Sequence, residues 1–256
     1  MLRPRIIPCL LVHNGGLVKT VQFKDPKYVG DPINAVRIFN EKEVDELMVL
    51  DIDASVKGLE PDYVRIKNLA SECRMPLCYG GGVKTAEQVK RIVELGVEKV
   101  ALSSGAMEHP EVVSEAALQV GNQSVVVVLD VKRSRLGGRY EVYTQRGAKK
   151  TGRAPVQIAM EMERLGAGEI VVNSIDQDGM MKGYDLKLIC QVRESVGVPV
   201  TTLGGAGALG DMSEAIFKCG VSGAAAGSLF VFKGKYKAVL ISYPTRAEKD
   251  ALWRKA

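Results

Sequence analysis

The stretch Val125-Val126-Val127-Val128-Leu129-Asp130-Val131-Lys132 decides the fold. Four valines and a leucine in succession read as a strand buried on both faces, because neither face has to meet water. The apolar run ends in a carboxylate, Asp130, where a strand leaving a core reaches solvent. Arg5-Ile6-Ile7-Pro8-Cys9-Leu10-Leu11-Val12 has similar length and texture. Aligned on their final valines, the two stretches place Val131 on Val12 and Asp130 on Leu11. One strand ends in an acid and the other in a leucine.

Outward from these two runs, short apolar segments alternate with amphipathic ones along the whole chain. Strands are expected at Arg5–Val12, Leu47–Ile52, Pro76–Gly80, Lys99–Ser103, Ser124–Val131, Glu169–Ser174, Val198–Leu203 and Gly223–Gly227. Helices are expected near Pro32–Val44, Asp62–Cys73, Ala86–Leu95, Pro110–Val120, Pro155–Leu165, Leu186–Val196 and Met212–Cys219. Pro32, Pro110 and Pro155 stand near helix starts, where a missing N–H costs nothing. Leu95-Gly96, Leu165-Gly166 and Cys219-Gly220 mark helix ends. Strict alternation implies a parallel sheet. Eight such units in 256 residues imply an α/β fold, one closed (β/α)₈ TIM barrel over residues 1–256. A doubly wound sheet would need a reversal of strand order, and the sequence marks none. The halves, about 1–120 and 121–256, repeat at an offset near 120–125 residues: Leu50-Asp51-Ile52-Asp53 with Ser174-Ile175-Asp176-Gln177-Asp178, and Tyr79-Gly80-Gly81-Gly82 with Leu203-Gly204-Gly205-Ala206.

Hydrophobic residues make up 46% of the chain and aromatics 5%, so aliphatic side chains must fill the core. The formal charge is +5 with acids and bases interleaved; the sequence carries no polybasic run, so nucleic acid is not an expected partner. A mild positive balance suits phosphorylated ligands. The apolar runs stay below ~18 residues, so no membrane partner is expected. The cysteines, Cys9, Cys73, Cys78, Cys190 and Cys219, are odd in number and form no CxxC pair. They suggest a reducing, cytoplasmic setting with no disulfide framework, no zinc or other metal site and no cofactor.

Gly80-Gly81-Gly82 and Gly204-Gly205-Ala206-Gly207 each follow a strand and precede a helix. Glycine lets the backbone approach a phosphate, whose charge suits helix N-terminal N–H groups. Ser103-Ser104 and Gly227-Ser228 close the next strand of each half and add hydroxyl donors. A ligand with a phosphate at each end follows. Asp51, Asp130, Asp176 and Asp178 lie at or past strand ends, where barrel chemistry happens. Asp130 is the candidate proton-transfer group, since it ends the most buried strand; the others can serve as loop acceptors. Lys19, in the Gly15-Gly16 loop, is placed either to close over a phosphate or to stay solvated. At the other end of the barrel, Arg5, Glu46, Lys99 and Glu169 stand at or before strand starts. Charges entering a barrel floor must pair, because isolated buried charge is expensive. They form either a stabilising plug or a gate to a central channel. His13 and His109 receive no role; Trp253 reads as a docking anchor.

These motifs resemble those of the cyclase subunit of imidazole glycerol phosphate synthase over nearly the whole chain. The resemblance rests on Arg5-Ile6-Ile7-Pro8-Cys9-Leu10, Gly80-Gly81-Gly82, the valine strand to Asp130, Gly166-Ala167-Gly168-Glu169, Ser174-Ile175-Asp176-x-Asp178-Gly179 and Gly204-Gly205-Ala206-Gly207. It implies a glutaminase subunit docked at the barrel bottom as a heterodimer, with ammonia crossing the barrel. It further implies a phosphorylated ribulosyl intermediate at the top, converted to imidazole glycerol phosphate and an aminoimidazole carboxamide ribotide. Phosphate contacts are implied at Gly82, Ser103, Ser104, Gly179, Gly205, Gly227 and Ser228. An ammonia gate is implied at Arg5, Glu46, Lys99 and Glu169, and one catalytic acid/base at Asp130.

The family's second catalytic group is an aspartate in the position of Leu11: the pattern Pro-Cys-Leu-Asp-Val reads Pro8-Cys9-Leu10-Leu11-Val12 here. Leucine moves no proton, and loss of such a group typically costs ~10²–10⁴-fold in rate. Ser103 replaces a family asparagine, Asn173 a threonine and Leu203 a serine, and the tail from Phe232 to Pro244 differs. These departures resemble a branch associated with surface-polysaccharide genes and amidation of an acetamido sugar. That branch implies ammonia delivery to a separate ATP-dependent sugar amidotransferase rather than cyclase activity. The alternatives are an active cyclase of histidine biosynthesis and a phosphate-binding scaffold.

Overall fold

In the computed structural model, which describes residues 3–134 and 138–253, eight parallel strands close on themselves. They are β1 Arg5–His13, β2 Leu47–Asp51, β3 Leu77–Gly80, β4 Lys99–Leu102, β5 Val125–Arg133, β6 Glu169–Ser174, β7 Val200–Leu203 and β8 Gly223–Ala226. Each pairs with its successor, and β8 returns to β1 with Arg5 beside Gly223. The expected (β/α)₈ barrel is what forms. Outside it lie α1 Pro32–Glu41, α2 Tyr63–Glu72, α3 Ala86–Glu94, α4 Glu111–Val120, α5 Pro155–Arg164, α6 Leu186–Ser195, α7 Leu209–Cys219 and α8 Arg246–Trp253. Local chemistry sets their ends. Asp31 and Asp62 accept from backbone N–H groups of the first turns of α1 and α2. Thr85 and Gln88 form a capping box on α3, and Gly220 closes α7 in the left-handed conformation.

Strand alternation sorts side chains into two cores. Ile6, Leu10, Val12, Val125, Val127, Leu129 and Val131 point outward into the layer between sheet and helices. Ile7, Cys9, Met48, Cys78, Ala101, Val126, Val128, Val171, Leu203 and Ala225 fill the barrel, with Leu11 and Leu50 packed on top. Leu11 and Arg5 are an even number of positions apart, so both face the lumen, separated by about 20 Å along the strand.

Several expectations are corrected. The segment after β1 is a hairpin rather than a loop: Asn14 and Gly15 turn the chain at positive φ into strands Gly16–Val21 and Lys24–Gly30. Lys19 therefore sits on a strand and is buried, because the hairpin folds back over the barrel mouth. Asp130 does not end its strand. β5 runs on to Arg133, since Asp130–Arg133 pairs antiparallel with Tyr140–Tyr143. Cys190 on α6 and Cys219 on α7 are joined as a disulfide, where free thiols were expected. The Cα atoms are 4.7 Å apart because neighbouring helices face each other there, a contact that a sequence separation of 29 does not reveal. Cys9, Cys73 and Cys78 are free. Trp253 ends α8, and its side chain lies outside the described residues. Among the described residues, no helix is long and apolar enough to cross a membrane.

Candidate functional site

The loops after the strands enclose a continuous groove at the C-terminal face. One part, about 800 Å³ counting its open mouth, is walled by Gly80–Val83, Ser103, Ser104 and Asp130. The other, about 480 Å³, is walled by Lys19, Asp178, Gly179, Gly204–Ala206, Gly227 and Ser228. Leu11, Phe23 and Asn173 line both parts and so stand at their junction. The expected phosphate-binding residues and Asp51, Asp130 and Asp178 thus reach the groove, with the two glycine turns in opposite parts of it, whereas Asp176 lines a separate cavity beside Arg133 and Asp185.

The glycine turns have matching geometry. Gly81 and Gly205 both hold φ near +123°, where other residues are strained, and a side chain on either would collide with backbone, at Asp51 and Gly183 respectively. In the first part, Gly82 N–H donates to Ser55 Oγ at 3.3 Å, and Gln145 N–H donates to Ser104 Oγ at 3.1 Å. Ser104 and Ser228 each begin a short helix, Ser104–Glu108 and Ser228–Val231. In the second part, Lys19 Nζ donates to the carbonyl of Cys9 and lies against Gly227. Burial lowers its pKa, with the nearby Asp178 opposing.

Asp130 has the electrostatics of a proton-transfer group. Burial lifts its pKa to about 6, while hydrogen bonds from Asn173 Nδ2 (2.8 Å) and Ser103 Oγ (3.3 Å) pull it down. A carboxyl titrating there can accept or donate a proton near neutrality. Asn173 Oδ1 is buried with no hydrogen-bond partner among the described residues. The other acids hold backbone. Asp51 accepts from Asp53 and Ala54 N–H, Asp176 from Arg133 N–H, and Asp178 from Phe23 N–H and the Thr20 hydroxyl.

Sequence reasoning missed Arg146, Phe23 and Ser55, all groove residues. Arg146 lies on a turn at positive φ and approaches Asp53 at 3.9 Å. Asp53 also contacts His13 Nδ1 (2.6 Å), Asn14 N–H (2.8 Å) and Lys57 (3.0 Å). Burial opposes ionisation of Asp53, but these partners hold its pKa at about 2. Only the Asn14-Gly15 pair carried a usable signal, as a two-residue hairpin turn.

At the opposite end the four charges meet. Arg5 bonds Glu46 and, at 2.7 Å, Glu169; Lys99 Nζ reaches Glu46 at 2.9 Å and Glu169 at 2.8 Å. Thr201, unforeseen, donates to Glu169 at 2.5 Å. Burial penalises the charged form of Lys99, yet Glu169 and Glu46 raise its pKa; Glu169 is lowered against the same penalty by Arg5 and Lys99. On those directions Lys99 and Glu169 are both ionised at neutral pH. Among the described residues, no three His, Cys, Asp or Glu side chains are placed to hold a metal ion.

Residues 5–237 match the histidine biosynthesis protein family. A Vibrio vulnificus protein named "Putative imidazole glycerol phosphate synthase subunit hisF3" is 57% identical over 97% of this chain and 96% of its own length. A Leptospira interrogans protein, named in the same way as subunit HisF, is 56% identical over 99% of this chain and all of its own. An Alkaliphilus metalliredigens protein named imidazole glycerol phosphate synthase subunit HisF is 41% identical over 90% and 91%. On the extent of these matches, the chain belongs to the histidine biosynthesis protein family.

Proposed function

We propose that this chain is the barrel subunit of a glutamine-dependent synthase and that it delivers ammonia rather than closing an imidazole ring. A glutaminase docks as a heterodimer on the barrel bottom around Arg5, Glu46, Glu98, Lys99 and Gln123. Ammonia passes the charged ring and crosses the lumen. The lumen supports this: between the ring and Leu11 its walls are aliphatic side chains, methionine and thiols. Neutral ammonia loses less than ammonium does on entering such a space. At the top, the orphaned Asn173 Oδ1 offers an acceptor to an arriving N–H group. Each half, about 1–120 and 121–256, supplies one phosphate cradle: Gly82, Ser103 and Ser104 in one, and Lys19, Gly179, Gly205, Gly227 and Ser228 in the other. A bisphosphorylated small molecule spans them. The ammonia is consumed in the cytoplasm by an ATP-dependent sugar amidotransferase that forms an acetamidino group for lipopolysaccharide O-antigen.

The observation that carries this reading is Leu11 at the junction of the two groove parts, where the cyclase pattern has a carboxylate. Asp130 is left as the proton-transfer group, without an opposed partner. The second reading, an active cyclase of histidine biosynthesis, draws support from the two cradles and from Asp130 held near neutrality. Complementation separates the two. A histidine auxotroph lacking its own cyclase subunit is expected not to grow on this gene at normal expression. Robust growth would overturn the delivery reading and leave the cyclase.

A further inference from the structure

Between Glu214 and Glu248 the chain has no acidic residue. Within that span, a short hairpin pairs Phe232–Lys233 with Ala238–Val239, and Lys233, Lys235, Tyr236 and Lys237 on it are all exposed. Tyr236 is 89% exposed, and Val239 and Leu240 are each about half exposed. The hairpin after β1 lies alongside. Its Lys27 ammonium stands 5.1 Å above the Phe232 ring, and its Lys24 and Tyr28 are also exposed. The two hairpins therefore make one basic, aromatic surface, interrupted by a single exposed acid on the first of them, Asp25. Its position is as telling as its composition. Gly227 and Ser228 wall the groove just before the tail hairpin begins, and Lys19, Thr20 and Phe23 of the other hairpin wall it too. The surface borders the mouth from which a product of the groove would leave.

We propose that this rim docks an acidic face of the ATP-dependent enzyme that consumes the ammonia, a step that rests on the delivery reading above. Exposed tyrosines inside a rim of like charge are the composition of a protein interface: the aromatic rings anchor and the charges steer. A second copy of this chain is a poor occupant, because lysine would face lysine. Lysines on the short ribbon also guard its open edge against self-pairing. Docking here would place the consuming site over the groove mouth, so that ammonia is handed on before it protonates in bulk water.

The test combines the barrel, its glutaminase and a purified ATP-dependent sugar amidotransferase. The variants are the triple Lys233→Glu, Lys235→Glu, Lys237→Glu and, separately, Tyr236→Ala, which keeps the charge. Glutamine-driven amidation is expected to fall by about 10-fold or more in the triple variant. Glutamine hydrolysis and ammonium-driven amidation should stay at wild-type rates. Added salt should slow the wild type and leave the triple variant little changed. Variants with the circular dichroism and melting of wild type, yet with wild-type glutamine-driven rates, would overturn the docking alone. A wild-type barrel that never raises glutamine-driven amidation above the glutaminase-only control would overturn the delivery reading, and this docking with it. Binding of wild type to phosphatidylglycerol vesicles, lost in the triple variant while amidation is unaffected, would reassign the surface to a membrane and overturn the proposal.

Discussion

At Asp130 the fold keeps a carboxyl where ionisation is disfavoured. In an unfolded chain it would titrate near 3.9; burial lifts it to about 6 here, against hydrogen bonds from Asn173 and Ser103. Between those values the native state binds more protons than the unfolded one, so stability falls as pH rises from about 4 to about 6 and then levels off. Removing the charge removes the penalty. Asp130→Asn is expected to be more stable than the parent by about 1–3 kcal/mol above pH 6. The advantage should shrink towards pH 4. Urea unfolding at pH 4 and pH 7.5 checks this, and an asparagine variant no more stable than wild type at pH 7.5 would contradict it. At this scale the sequence was readable where a residue type carries its own chemistry. Asp130 and Leu11 stand out by identity in equivalent strands. Arg146 does not, because its place in the groove depends on a turn at positive φ that packs Gln145 against Ser104.

The parallel strands were legible because burial on both faces leaves a continuous apolar run, as in Val125–Leu129. The antiparallel additions at the mouth were not. Lys24–Gly30 contains aspartate and proline and is mostly exposed, so nothing in its pattern resembles a core strand. It is held by pairing with Gly16–Val21 and by Asp178. The Asp178 carboxylate accepts from Thr20 Oγ1 (2.7 Å) and Phe23 N–H (3.1 Å), while its carbonyl accepts from Gln22 N–H (2.9 Å). Asp178→Ala leaves the buried Thr20 hydroxyl and the half-buried Phe23 N–H without their acceptor, a loss of about 1–3 kcal/mol. Because the hairpin is an appendage to the barrel, the loss should appear as local opening rather than global unfolding. Amide exchange within residues 16–30 is expected to accelerate several-fold while β5 and β6 keep their protection. Equal exchange in the hairpin of both proteins would show that other contacts suffice to hold it. The tail hairpin, Phe232–Val239, escaped sequence reading for the same reason: it is two residues per strand, and its side chains are almost all exposed.

The barrel has two differently built ends, about 20 Å apart along β1 from Arg5 to Leu11. The charged ring closes one end and the groove opens at the other. Whether the ring is a plug or a gate cannot be decided by stability, because either role predicts a loss when a partner is removed. Lys99→Ala leaves Glu46 and Glu169, both buried, with Arg5 as the one remaining cation of the ring. The expected loss is up to about 3–5 kcal/mol if the remaining charges stay desolvated. Flux separates the two roles. With barrel, glutaminase and terminal amidotransferase assembled, Lys99→Ala should change the ratio of glutamine-driven amidation to glutamine hydrolysis, since ammonia would enter the lumen through an altered floor. Amidation fed by ammonium salt arrives from the groove side and should remain near wild type. A folded Lys99→Ala variant whose glutamine- and ammonium-driven rates keep the wild-type ratio would make the ring a structural plug. The lumen above it would then be a packed apolar core rather than a path, and the search for the ammonia route would move to the outer surface of the heterodimer.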